Sequence, residues 1–109
     1  MGDETLLHLD VKRPRAGTVV VAVHGEVDML TAPELAAGLE QQLDWASALV
    51  VDLSEVEFFG AAGLEVLVQV QSETRQRGLS LRLVVGPHLR RLLALVDLEG
   101  ELCVHDARG

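Results

Sequence analysis

The sequence predicts an α/β domain, a mixed and largely parallel sheet of about five strands with three to four helices packed mainly on one face. Three observations carry this expectation. The runs 18-TVVVAV-23 and 48-ALVVDL-53 are apolar and rich in β-branched residues, as central strands are. Helical patterns fall between the strands, which implies crossover connections and parallel pairing. At least two other strands alternate polar with apolar residues, so one sheet face stays partly in water. The expected order is β-β-α-β-α-β-α-β.

In 6-LLHLDVK-12, Leu7, Leu9 and Val11 share one side and His8, Asp10 and Lys12 the other. Pro14 and Gly17 mark a turn, and Gly25 ends the apolar run that follows. At 31-TAPEL-35, Thr31 is placed to cap a helix, Pro33 suits the first turn, and Glu34 has capping-box spacing. Leu35, Leu39 and Leu43 form that helix's stripe. The second buried strand leads into 56-VEFFGAAGLEVLVQVQ-71, where a strand-like run ends at Phe58-Phe59 and Gly60-Ala61-Ala62-Gly63 turns the chain. The next helix, from about Ala61 to Arg77, is apolar nearly all round at first and polar later. Its start is expected to be buried and its end exposed, with Gly78 as the stop.

The run 79-LSLRLVV-85 alternates, with Ser80 and Arg82 outward, and Gly86-Pro87 breaks it. Leu89, Leu92, Leu93 and Val96 line a short helix with Arg90 and Arg91 on its wet side. A last strand is expected around 102-LCVHD-106, with Cys103 as a small core residue.

A chain of 109 residues is expected to be one domain, 1–109, with a core of its own. Hydrophobic residues make up 49% and aromatics 3%, so that core is aliphatic. Seventeen acidic against nine basic residues give a formal charge of −8, with Lys12 the sole lysine. Direct nucleic-acid binding needs cations against phosphates, and this balance argues against it. One cysteine excludes an internal disulfide framework. No signal-like segment or membrane-length apolar run is present, so the expected location is cytoplasmic, without membrane insertion.

No catalytic or metal constellation emerges. His8, His24, His88 and His105 are scattered through the chain. Ser47, Ser54, Ser72 and Ser80 fit strand ends, an exposed helix face and an outward strand position, and there is no nucleophile elbow. An enzyme is not expected, nor a cofactor. Gly60-Ala61-Ala62-Gly63 has the layout of a phosphate cradle at a helix N-terminus but lacks the lysine and hydroxyl of a P-loop. Taken alone it is a tight corner built from small residues.

Three segments in order, 25-GEVDMLTAPEL-35, 50-VVDLSEVEFFGAAGLEVL-67 and 84-VVGPHLRRLLALVDLEGEL-102, resemble a STAS domain from about Thr18 to Asp106. The free-standing length resembles the anti-sigma factor antagonist, or anti-anti-sigma, type. That resemblance implies a protein that binds an anti-sigma factor with serine-kinase activity and so regulates transcription indirectly. In such proteins the kinase phosphorylates a serine at the start of the second helix, within Asp-Ser-Ser-Gly or Asp-Ser-Thr-Gly, and expels the antagonist.

Here Gly60 stands at the Asp position, Ala61 at the first Ser and Ala62 at the acceptor, while Gly63 and Leu64 match. Asp28 matches the acidic residue of the first loop. The implied contact surface joins the loop 25–31, including Asp28 and Met29, to the corner from Phe59 through Leu64 and to the start of the second helix. Glu65, one turn beyond Ala62, is placed to supply a standing negative charge or to be an ordinary solvated helix residue. The phosphoryl-accepting atom is missing, so the implied antagonist is not switchable at this corner. Three altered positions favour a natural departure over an engineered Ser→Ala block. The implied oligomeric state is a monomer or weak dimer. A second reading is a STAS accessory subunit of a lipid or solute ABC-type transporter, and a third is a nucleotide-responsive STAS module.

Overall fold

Alternating valines and leucines set the faces of the sheet. In the computed structural model, residues 6–96 and 104–106 are described. The elements are β1 (Leu7–Arg15), β2 (Thr18–Val27), α1 (Ala32–Gln42), β3 (Ala48–Phe59), α2 (Ala61–Arg77), β4 (Ser80–Val85), α3 (Pro87–Leu95) and β5 (Val104–Asp106). They form one five-stranded sheet in the order β1-β2-β3-β4-β5. β1 is antiparallel to β2, and the remaining pairs are parallel.

Register aligns Val19 with Leu49 and Leu81, and Val21 with Val51 and Leu83. All six are buried, in one cluster with Leu35 and Leu39 of α1 and Leu67 and Val70 of α2. Burying each such side chain contributes about 1.5–3 kcal/mol. The intervening rows, Val20-Val50-Arg82 and Ala22-Asp52-Val84, are half-buried or exposed. One sheet face is therefore covered and the other is partly open, as the alternating strands predict.

Several boundaries differ from the sequence reading. Pro14 lies inside β1, not in a turn, because an edge strand tolerates a residue that cannot donate to a ladder. β2 runs past Gly25 to Val27, with Gly25 at φ +104 and the Glu26 amide donating to the Leu6 carbonyl at 2.8 Å. β3 continues to Phe59, so Ser54 is inside a strand instead of at its end, with its hydroxyl donating to Asp52 Oδ1 at 2.6 Å.

The capping box does not form. Thr31 is helical at φ −97 and ψ −16 and makes no side-chain cap. The start of α2 is buried on one side only: Gly63, Leu64, Val66 and Leu67 are covered, while Ala61, Glu65 and Val68 are exposed. Gly78 does end α2, in the left-handed conformation at φ +74. On α3, Leu89 and Leu93 are buried, but Val96 is exposed and Arg90 only half-exposed. The scattered histidines include one pair joined by the fold, since His8 and His24 face each other across β1 and β2 with rings 5.8 Å apart. Cys103 lies outside the described residues.

Candidate functional site

The last register pair of β2 and β3 is Val27 with Phe59, and the Gly60 amide donates to the Val27 carbonyl at 2.9 Å. The β2–α1 loop and the start of α2 thus emerge side by side at one end of the sheet. Just before this end Gly25 lets β2 pass close to the Leu6 carbonyl, which a Cβ there would run into, and its φ suits glycine. Gly63 does the same for α2: a Cβ would meet Phe59 and the Val27 Cγ1 at 2.8 Å. The helix start is seated directly on the strand ends.

The loop is built on Asp28 and Thr31. One Asp28 carboxylate oxygen accepts from the Leu30 amide at 2.9 Å, the Thr31 amide at 3.0 Å and the Thr31 hydroxyl at 3.2 Å. Thr31 Oγ1 accepts from the Asp28 amide at 2.9 Å, and its one proton is shared between the Glu26 carbonyl at 2.8 Å and that Asp28 oxygen. These bonds, that from the Thr31 amide first, hold the Asp28 carboxyl below its ordinary value of 3.8. The loop is a closed polar ring whose apolar residues are left outside. Met29 is 79% and Leu30 80% exposed.

The corner itself holds no hydroxyl. Gly60 is the extended N-cap of α2, without a side-chain cap, and the helix's first turn carries no acidic residue. Ala61 is exposed and Ala62 half-buried, while Phe59, Gly63 and Leu64 are buried. Of the residues singled out in the sequence, Met29, Ala61 and Glu65 thus offer surface, with Asp28, Gly60 and Ala62 partly accessible. Phe59, Gly63 and Leu64 support the corner from beneath.

Sequence reasoning missed Thr31's role in the loop, included Leu30 only as part of the loop 25–31, and missed the exposed Phe58, 54% accessible. The signal for Leu30 was present, since two consecutive apolar residues between Asp28 and Thr31 cannot both turn inward in so short a loop. Among the described residues no three His, Cys, Asp or Glu side chains group to hold a metal. No described helix is long and apolar enough to cross a membrane.

A family model described as "Mlab, STAS domain" matches residues 11–104. The anti-sigma-F factor antagonist RsfB of Mycobacterium tuberculosis is 34% identical over 84 residues, covering 76% of this chain and 69% of RsfB. The crystal structure of an anti-sigma factor antagonist from Mycobacterium paratuberculosis superposes with a TM-score of 0.77 at 34% identity, over 91% of this chain and 85% of that one. The anti-sigma factor antagonist SpoIIAA shares the fold at 16% identity. Its unphosphorylated form gives a TM-score of 0.76 over 92% of this chain and 88% of that one. The phosphorylated form of SpoIIAA, from Bacillus, gives 0.72 over 92% and 91%. The chain belongs to the STAS domain family, among relatives named anti-sigma factor antagonists.

Proposed function

We propose that this protein is an anti-sigma factor antagonist that binds an anti-sigma factor of the serine-kinase type and is not released by phosphorylation at the helix corner. It acts in the cytoplasm by binding, as a single domain and without catalysis. The observation that carries the reading is one contiguous end of the fold. There an ordered loop presents Met29 and Leu30 beside a helix start presenting Ala61, Glu65 and Val68, with no hydroxyl at the corner.

Exposed apolar side chains on a rigid loop are suited to be binding anchors, because little conformational freedom is lost on docking. Asp28 and Gly60 frame that surface. A phosphate would add about −1.5 to −2 charge and disrupt a desolvated contact. Ala62 has no atom to carry it. Relatives named as antagonists favour this reading over a transporter accessory subunit, and the missing P-loop groups disfavour a nucleotide module.

The test is to mix the protein with its candidate anti-sigma kinase and follow the complex by size-exclusion chromatography. A stable complex, weakened when Met29 and Leu30 are both changed to Ser, supports the reading. Absence of a complex with any such kinase sinks it. Ala62→Ser combined with Gly60→Asp should then accept phosphate from the kinase and ATP, read by intact mass.

A further inference from the structure

We infer that the outer half of β3 is a second docking edge, which takes an extended segment of the anti-sigma partner, alternating basic and aliphatic residues, as an added strand. β3 is 12 residues long, but β4 pairs only with its first part, Ala48–Asp52. β2 accompanies β3 to Phe59 on the opposite side. From Leu53 onward β3 therefore has a ladder on one edge and, among the described residues, none on the other. Such an edge presents backbone donors and acceptors to any chain able to lie along it.

The space beside it is already shaped. β4 ends at Val85, and Gly86-Pro87 turns the chain into α3. Between the free edge and the start of α3 lies a cleft of about 370 Å³, lined in part by Val56, Phe58, His88 and Leu92. The chain leaving β4 closes the edge at Ser54, whose carbonyl lies 4.0 Å from where a Cβ on Gly86 would sit, so the open part begins at Glu55. At roughly 3.3 Å per residue the open edge from Glu55 to Phe59 spans about 15 Å, enough for a short strand.

Charge selects the occupant. Glu55 and Glu57 are exposed along the edge, in a chain of net charge −8, while Phe58 and Val56 supply apolar contact. An incoming strand with Lys or Arg against the glutamates and aliphatic residues in the cleft complements both. A second copy of this chain would set Glu55 and Glu57 against themselves, which disfavours self-pairing. The edge is continuous with the helix corner at Phe59-Gly60, so one partner reaches both.

This inference rests on the antagonist reading, since the segment is assigned to the anti-sigma partner. Hydrogen exchange by mass spectrometry on the chain alone and in complex with the anti-sigma kinase separates the two. The expected result is slower exchange across residues 54–58 in the complex, in addition to the loop 28–31 and the start of α2. Glu55→Lys with Glu57→Lys should weaken the complex about tenfold while leaving the melting temperature of the free chain unchanged.

A complex that protects the loop and helix corner but leaves 54–58 exchanging as in the free chain overturns the edge and leaves the antagonist reading standing. Protection of 54–58 in the chain alone, rising with its concentration, assigns the edge to a second copy and overturns it too. Failure to form any complex overturns both. If the double-lysine variant does not fold, the exchange pattern of the unaltered chain decides.

Discussion

Replacing Thr31 by valine would keep its volume and remove a hydroxyl bonded to the Asp28 amide, the Glu26 carbonyl and the Asp28 carboxylate. Thr31 is 5% exposed, and the valine would leave the Asp28 amide and the Glu26 carbonyl without that hydroxyl. The expected loss is about 1–3 kcal/mol, read as a lower urea midpoint at unchanged slope. Asp28 adds a pH dependence. Its carboxyl is held below 3.8 in the fold, so its contribution is complete at neutral pH and fades as pH falls from the ordinary carboxylate range through the depressed value. Asp28→Ala should therefore lose less stability on acidification across that window than the unaltered chain, measured by urea titrations at stepped pH. The place of Asp28 in the first loop and the lack of any hydroxyl from Gly60 to Gly63 were legible in the sequence. Thr31's part was not, because a hydroxyl at capping spacing has several local backbone partners and spacing alone does not choose among them.

At the scale of elements, the corner rests on close approach of α2 to the ends of β2 and β3. Gly63→Ala would drive a Cβ against Phe59 and Val27 and should cost about 1–3 kcal/mol, read by the same denaturation midpoint. Gly60→Asp should do the opposite. Gly60 is extended at φ −95 and ψ −174, which any residue adopts. Its Cβ would press only on the exposed Phe58 ring, at 3.2 Å. Asp there gains a cap, so stability should rise by roughly a few tenths of a kcal/mol. The order of elements was readable because apolar periodicity switches cleanly between 2 and 3.6. The strand ends were not. Register shifts between Ala22 and His24, and between Gly25 and Glu26, let β2 and β3 continue past residues that break simple alternation. Pro14 reads as a breaker until its strand is known to be an edge.

For the whole molecule, the one-sided covering of the sheet followed from where polar residues alternate, and Val20, Ala22, Val50 and Val84 are half-buried on the open face as that pattern requires. The gathering of the β2–α1 loop and the start of α2 at one end of the sheet depends on pairing between residues far apart in sequence, which periodicity does not encode. The resemblance of ordered motifs supplied it, and the Val27–Phe59 pair displays it. The chain then presents an apolar-tipped loop next to a helix corner that carries no hydroxyl.

The central claim, docking without reset, is tested by the affinity of the chain for a candidate anti-sigma kinase with and without ATP. The same affinity in both conditions and no phosphate on the chain by intact mass is the predicted result. A complex that ATP dissolves, with phosphate found on another serine or threonine of the chain, would contradict it.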